Sequence, residues 1–159
     1  MLISAMFFTG ALMMFRTTLQ ANVVIGDTTR ESIRIAGERA RTEISITSVV
    51  GSGCGLTITV DNTGAISIAD ASRMDVIVQY PAGNNSAQRL TYVLTGPPGI
   101  SEWTVDSISG QFQPSIFDPG EMMTIEAQLS LVEAGAGMVT VGSHNGVIDT
   151  GDFPSLTPC

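Results

Sequence analysis

The chain has few residues of the types that carry catalysis or bind metals. Among its 159 residues there are no lysines, one histidine and two cysteines. A zinc site needs more cysteine or histidine ligands at close spacing, and a redox pair needs two cysteines separated by two residues. The sequence also has no phosphate-binding loop, dinucleotide fingerprint or basic patch interleaved with aromatics. These absences predict a protein that is not an enzyme, with no cofactor and no nucleic-acid partner.

Charge is scarce and unevenly distributed. Charged residues are 14% of the chain, well below the ~25% of ordinary soluble domains. Residues 1–48 carry five arginines against four acids, a net charge of +1, whereas residues 49–159 carry two arginines against eleven acids, a net charge of −9. An acidic domain of this kind repels both nucleic acid and anionic lipid. With 43% apolar residues, the chain is nevertheless able to bury a core.

Two groups of polar residues were weighed as reactive sites. Ser143, His144 and Asp149 are the residue types of a hydrolase triad, but they lie around the turn GSHNG and no nucleophile elbow is present. Several acids near turns offer oxygen ligands for Ca²⁺, although none has EF-hand spacing and aspartate is common in turns for its own hydrogen bonds. These acids are Asp61, Asp70, Asp75, Asp118, Glu121, Asp149 and Asp152. We therefore expect His144 to lie on the surface in a turn. We predict no metal site at the acids.

Two features are candidates for covalent modification. Cys54, in GSGCG, and Cys159, in LTPC, permit one disulfide. In an oxidising compartment it would close a loop of about a hundred residues and stabilise the fold by ~4–5 kcal/mol. Asn84 begins the glycosylation sequon Asn84-Asn85-Ser86 in a predicted loop, which is typical of a surface-displayed domain.

The N-terminal stretch MLISAMFFTGALMMF consists of apolar and small residues. It does not fit a signal peptide, because no cation precedes Arg16 and no small-residue cleavage pattern follows. As a membrane span it is marginal, since only weaker apolar character extends it to about residue 25. Small residues such as Ala5 and Gly10 among bulky methionine and phenylalanine favour close packing between helices. We expect residues 1–25 to lie in a membrane before assembly and to pack against copies of themselves afterwards.

Residues 26–46 predict an amphipathic continuation of this helix. Thr28 and Glu31 fit a capping box, so the helix is expected to kink or restart near Gly26. An apolar stripe at Ile33, Ala36, Ala40 and Ile44 is expected to dock on the chain's own globular domain. Forty-six helical residues would be roughly 70 Å long, which exceeds the width of the remaining domain.

From residue 47 the apolar period changes to two. The predicted strands are Thr42–Val50 (overlapping the helix end), Leu56–Val60, Ile66–Ala69, Met74–Tyr80, Arg89–Leu94, Glu102–Ile108, Met122–Leu131 and Met138–Ser143. Turn sequences such as DNTG, PAGNNS and DPGE separate them. In LTITVDNTGAISI a hairpin is expected, with Gly64 at positive φ. The fold class is therefore α+β, a long N-terminal apolar helix (1–46) followed by an antiparallel, Ig-like β-sandwich (47–159).

This pattern resembles the archaellins and archaeal-type pilins of the type IV filament superfamily. The resemblance rests on MLISAMFFTGALMMF, the amphipathic ANVVIGDTTRESIRIAGERARTEISI, and the strand-rich segments LTITVDNTGAISI and DPGEMMTIEAQLSL. It implies a cell-surface filament, a homopolymer with a membrane-bound stage before assembly, whose core is built from the N-terminal helix. The implied assembly residues are Leu2, Ile3, Met6, Phe7, Phe8, Gly10, Leu12, Met13, Phe15, Leu19 and Val23. Alternatives are a membrane-tethered archaellum stator or accessory protein that binds the surface layer, an adhesive pilus subunit, and a carbohydrate-binding module.

Overall fold

A computed structural model describes residues 29–80, 87–110, 115–130 and 135–156. Helix α1 occupies 29–41 of the described chain, and the chain divides after Gly37 into two compact units. The second unit begins at Glu38 and contains a sandwich of two sheets. The strands are β1 (Ile44–Ser52), β2 (Gly55–Asn62), β3 (Asp75–Gln79), β4 (Ala87–Arg89), β5 (Thr91–Tyr92), β6 (Glu102–Ile108), β7 (Met122–Gln128), β8 (Gly135–Gly142) and β9 (Ile148–Leu156), with a short 3₁₀ helix at Ala71–Arg73.

Sheet order places β2, β7 and β6 in the interior of one sheet and β3 and β8 in the interior of the other. One sheet has the order β1-β2-β7-β6-β5 and the other has the order β4-β3-β8-β9. In β7, Met123, Ile125 and Ala127 are buried while Glu126 is exposed, which is the alternation of a strand with one solvent-facing side. β3 lies between two neighbouring strands, β4 and β8. The predicted sandwich is therefore confirmed, while residues 1–28 of the long helix predicted for 1–46 lie outside the described residues.

The core fills the space between the two sheets. Its largest fully buried side chains include Trp103, Phe117 and Leu56. Tyr92, which is partly buried, packs on Trp103 with ring centroids 4.8 Å apart and tilted by 59°.

The helix ends earlier than the sequence indicated. The prediction extended it to residue 46, but α1 ends at 41 and Ile44 begins β1. Just after the last helical residue, the Thr42 hydroxyl donates to the Glu38 carbonyl at 2.9 Å, and Ile44, only 4% exposed, joins the sandwich core. The β-branched residues after Glu43 are thus more stable in a strand than in another helical turn.

The hairpin predicted after β2 is absent. Of the predicted strand Ile66–Ala69, only Ile68 makes a bridge, and its partner is Phe117. Gly64 does not take positive φ. It is needed for close approach instead, since a Cβ there would lie 2.5 Å from the backbone nitrogen of Glu43 and 2.8 Å from the Arg41 carbonyl oxygen.

The predicted strand Arg89–Leu94 is divided between the two sheets. β4 pairs antiparallel with β3, and one residue later β5 pairs parallel with β6. Buried Leu90 lies at this crossing. The parallel pair is the one exception to the predicted antiparallel order among the strand pairs of the described chain.

Strand β9 was not predicted, because it contains Gly151, Pro154 and two acids. It is an edge strand, where proline is tolerated. Gly151 packs close to β1, since a Cβ there would lie 2.9 Å from side-chain carbons of both Ile46 and Val49. The Asp149 carboxylate accepts a hydrogen bond of 2.7 Å from the Ile46 amide. The two long edge strands therefore protect each other.

Candidate functional site: the junction between the helix and the sandwich

The polar contacts that bear most directly on a helix-plus-sandwich subunit lie where the last helical turn meets the sandwich. On one side, the loop after β2 donates two backbone hydrogen bonds to this segment. The Gly64 amide donates to the Glu43 carbonyl at 2.9 Å, and the Ala65 amide donates to the Arg41 carbonyl at 2.8 Å. These bonds occupy carbonyls at and just beyond the helix end that would otherwise lack a partner within the helix.

The turn between β8 and β9 holds the same segment from another direction. The Arg39 guanidinium donates to the Gly146 carbonyl at 3.1 Å, and the Asn145 amide donates to the Thr42 hydroxyl at 2.5 Å. Gly146 has φ of 82°, a conformation that glycine adopts without strain. Two loops that are distant in sequence therefore hold residues 39–43, and we call this set of contacts the clamp.

Asn62 supports the clamp from inside the sandwich. Its side chain is fully buried and its amide donates to the carbonyls of Ile66 at 3.0 Å and Phe117 at 2.9 Å. Its side-chain oxygen accepts from the Gly64 amide at 3.2 Å. A single buried amide thus fixes the loop whose glycine packs against the helix end.

Sequence reasoning did not find these residues. Arg39 reads as an ordinary exposed helical arginine, and its partner is a backbone carbonyl 107 residues away. The sequence context of Asn145 and Asn62 is typical of turns, and this was the one signal that could have identified them. It does not indicate which segment their side-chain amides contact.

The helical residues before the clamp expose apolar side chains. Ile33 is 67% exposed and Ile35 is 46% exposed. Ala36 and Ala40 are also exposed, and docking of Ile33, Ala36 and Ala40 on the chain's own domain stays a prediction. Ile44, the last member of that stripe, is buried as part of β1.

One ion pair stabilises the exposed helix. The Arg34 guanidinium lies 2.6 Å from a carboxylate oxygen of Glu31, three residues earlier. This hydrogen bond from Arg34 holds the pKa of Glu31 below its usual value. Because both side chains are more than half exposed, water and salt screen the pair and its contribution to stability is small.

The predicted assembly residues, from Leu2 to Val23, lie outside the described residues, as do Asn84 and Cys159. Cys54 is described and is disulfide-bonded. It is partly buried against the core, and its carbonyl accepts from the Leu129 amide at 2.9 Å. Its pairing with Cys159 and glycosylation at Asn84 stay predictions.

Three of the acids weighed as calcium ligands have separate structural roles. Asp70 caps the 3₁₀ helix, and the hydroxyl of Ser72, which donates to it, lowers the pKa of Asp70. Asp75 pairs with Arg89, and Asp118 accepts from Ser67. Within the described ranges, no three metal-ligating side chains come together.

The residues weighed as a hydrolase triad are not assembled as one. Ser143 donates within its own turn, to Asn145 at 2.7 Å and to the Val147 carbonyl at 3.0 Å. Asp149 is directed at the Ile46 amide, and His144 is exposed.

No helix within the described ranges is long and apolar enough to cross a membrane.

Comparison with known proteins gives matches only among solved structures. No family model matches the chain, and no curated protein matches it. The archaellum periplasmic stator protein FlaG from Sulfolobus acidocaldarius matches with a TM-score of 0.54 and 21% identity, over 70% of this chain and 99% of that chain. The FlaF and FlaG stator complex from the same organism matches with a TM-score of 0.53 and 20% identity, over 70% of this chain and 89% of that chain.

A filament structure matches over a longer stretch. The archaeal flagellum of Methanospirillum hungatei strain JF1 matches with a TM-score of 0.62 and 12% identity, over 99% of this chain and 92% of that chain. At identities this low, the likeness establishes the fold alone. The resemblance seen in the sequence is thus confirmed at the level of structure: this chain has the fold of archaellum components.

Proposed function

We propose that this chain is a structural component of an archaellum and, more specifically, a subunit of its filament. The observation that carries the proposal is the match to an archaellum filament over 99% of this chain. The chain also carries the apolar N-terminal stretch of residues 1–25. An apolar segment of this kind needs lipid or other subunits to cover it.

In this proposal the two parts of the chain have different tasks. Residues 1–25 pack between neighbouring copies and build the filament core, after a stage in the membrane. The sandwich faces outward at the cell surface, where its net negative charge limits clumping between filaments. The polymer, and not the single subunit, then serves motility, and the subunit itself carries no enzymatic activity.

The clamp holds the last helical turn against the sandwich, within the unit that begins at Glu38. Four hydrogen bonds from two loops hold residues 39–43. Torque or tension carried by a filament core would pass to the outer domain through this segment.

The second candidate is an archaellum stator or accessory protein. It is favoured by the match to FlaG, whose chain is covered to 99% while 70% of this chain takes part. In that reading the N-terminal stretch is a membrane tether and the sandwich acts as a monomer or a small complex.

Electron microscopy of the native surface fraction separates the two candidates. If the chain is a filament subunit, antibodies against residues 38–159 will decorate long filaments along their whole length. A detergent-soluble monomer or small complex, with no labelled filaments, would instead support the stator.

Two substitutions test whether residues 1–25 form the core. Phe8→Asp and Gly10→Arg are expected to abolish filaments, because they place a charge or bulk in a packed apolar region. Arg73→Glu, on the exposed 3₁₀ helix, is the charge-change control and should assemble normally. Filaments of normal length from the Phe8→Asp protein would place the assembly surface elsewhere.

A further inference from the structure

A cleft of about 370 Å³ lies where the chain crosses from one sheet to the other. β4 ends at Arg89 in the four-stranded sheet, Leu90 is buried, and β5 begins at Thr91 in the five-stranded sheet. We call this space the crossing cleft. It belongs entirely to the unit that begins at Glu38, and its walls include Met74, Asp75, Arg89, Thr91, Tyr92 and Trp103.

An ion pair in the crossing cleft keeps hydrogen-bonding capacity for a ligand. Nε of Arg89 donates to Oδ1 of Asp75 at 2.8 Å, and Nη2 of Arg89 donates to the same oxygen. The other carboxylate oxygen, Asp75 Oδ2, therefore has no hydrogen-bond donor from the described chain. The guanidinium also has further N–H groups to donate. A free acceptor and free donors thus lie side by side.

Two aromatic side chains bring further polar atoms to the same cleft. Trp103 is 1% exposed and packs on half-buried Tyr92. Neither the indole N–H of Trp103 nor the hydroxyl of Tyr92 has a hydrogen-bond partner in the described chain. Within that part of the chain, Asp61 Oδ1 is the one side-chain nitrogen or oxygen that is both buried and without a partner. Water therefore reaches both aromatic groups, and the crossing cleft is a cavity that both residues line.

Charge determines which class of ligand fits the crossing cleft. Asp75 already neutralises Arg89, and residues 49–159 carry two arginines against eleven acids, so the domain repels an anion. A cation would have to compete with Arg89 for the carboxylate. A neutral polyhydroxylated ligand meets neither obstacle, because each of its hydroxyls both donates and accepts. Adjacent hydroxyls of a sugar ring match an acceptor oxygen beside N–H donors, and its C–H groups match the buried side chains of Met74 and Leu90.

We propose that the crossing cleft binds one neutral sugar unit. One hydroxyl of the sugar donates to Asp75 Oδ2, its neighbour accepts from the Arg89 guanidinium, and another accepts from the Trp103 N–H. The volume of the cleft lies within the ~300–1,000 Å³ of small-molecule sites. Because the site belongs to the sandwich alone, the inference goes beyond the proposed function and holds for a filament subunit and for a stator alike.

Fluorescence of Trp103 reports on the crossing cleft directly, because it is the single tryptophan of the chain. The full-length chain, held in a detergent without a sugar head group, is titrated with glucose, galactose, mannose or N-acetylglucosamine. We expect at least one of these sugars to change the emission saturably and to reduce quenching by acrylamide, since the bound ring covers the exposed edge of the indole. Trimethylamine N-oxide at the same concentrations is the control for osmotic effects.

Substitutions in the ion pair test the proposed contacts. Asp75→Asn removes the free acceptor oxygen and Arg89→Gln removes the guanidinium donors. Both side chains are largely exposed, 71% for Arg89 and 45% for Asp75, so the fold should tolerate either change. We expect each to raise the Kd of the bound sugar roughly fivefold or more, as for loss of one net hydrogen bond. Asp152→Asn and Arg73→Gln, at exposed positions that do not line the cleft, are the matched controls and should leave the Kd unchanged.

Three results would overturn the inference. The first is the absence of a saturable change with every sugar in the panel. The second is an equal Kd in the wild type and in both ion-pair variants, which would place the sugar elsewhere. The third is a response to sulfate or phosphate but to no sugar, which would make the cleft an anion site.

Circular dichroism checks the fold of each variant. If a variant is unfolded, protection of Trp103 from acrylamide in the wild type still decides the question, because that measurement needs no substitution. Failure of sugar binding would leave the proposed function intact, since microscopy of filaments is read independently of it.

Discussion

Asn62 provides the sharpest stability prediction, because one buried amide holds three separate backbone groups. Replacing it with alanine removes its bonds to Ile66, Phe117 and Gly64, which measure 3.0, 2.9 and 3.2 Å. The bond to Phe117 is fully buried and the other two are partly buried. At a net ~1 kcal/mol for each bond, and more for a buried group left without a partner, the free energy of unfolding should fall by about 3 kcal/mol.

Urea denaturation of the fragment 38–159, followed by circular dichroism, measures this loss. Thr57→Ala is the control on the same strand, because its side chain is exposed and such changes usually stay within about 0.5 kcal/mol. Asn62→Asp should be at least as damaging as Asn62→Ala, since a carboxylate would face two carbonyl oxygens. A loss below about 1 kcal/mol for Asn62→Ala would refute the reasoning that this amide organises the loop beside the helix end.

Three further predictions concern the helix, the sheet edges and the domain boundary. Gly37→Ala should stabilise the helix by about 0.5–1 kcal/mol of unfolding free energy, because a Cβ at this position meets nothing within 4 Å. Circular dichroism of the full chain in detergent measures the change in helix stability. Asp149→Ala removes the carboxylate that accepts from the Ile46 amide; we expect a loss of about 1–3 kcal/mol in urea denaturation and dimers in size-exclusion chromatography as the edge opens. The fragment 38–159 should give a dispersed NMR spectrum and 49–159 should not, because the shorter fragment begins inside β1.

Each of these predictions has a distinct contrary result. Lower helicity for the alanine variant at position 37 would mean that the glycine conformation is needed there. Unchanged stability and a monomeric state for the Asp149 variant would mean that the carboxylate does not protect the edge. A dispersed spectrum from 49–159 would show that the first half of β1 adds little to the sandwich, contrary to the burial of Ile44.

The sequence predicted those strands of the sandwich that have either one solvent-facing and one buried side or two apolar sides. Glu102–Ile108 was predicted with the bounds that the structure has, and Met122–Leu131 was correct except at its end. These strands carry the alternation that sheet packing imposes. Strand β9 was missed because an edge strand does not need this alternation. Gly151 and Pro154 are allowed in β9 because it lies at the edge of its sheet, and that position is a tertiary property.

The errors near the junction have a common cause. Residues 42–46 continue a helical apolar stripe, and residues 65–69 continue a strand pattern, so local periodicity favours a longer helix and a hairpin. The structure instead uses Gly64, Asn62 and Thr42 to bring the helix end against the loop after β2. Contacts between segments that are far apart in sequence, such as Arg39 with Gly146, leave no local periodic signal.

The candidate assembly surfaces were predictable only in part. Apolar content identified residues 1–25 as an assembly segment, and the count of charges identified an acidic outer domain. The sequence also predicted that Ile33, Ala36 and Ala40 dock on the chain's own domain, and this docking stays a prediction.

Electron cryomicroscopy of filaments assembled from the full-length chain tests the central claim most directly. The account predicts a helical polymer with residues 1–25 packed at the axis and the sandwich of residues 44–156 at the outer radius. A particle in which the sandwich stands alone or in a closed complex, with residues 1–25 in a detergent belt, would contradict it.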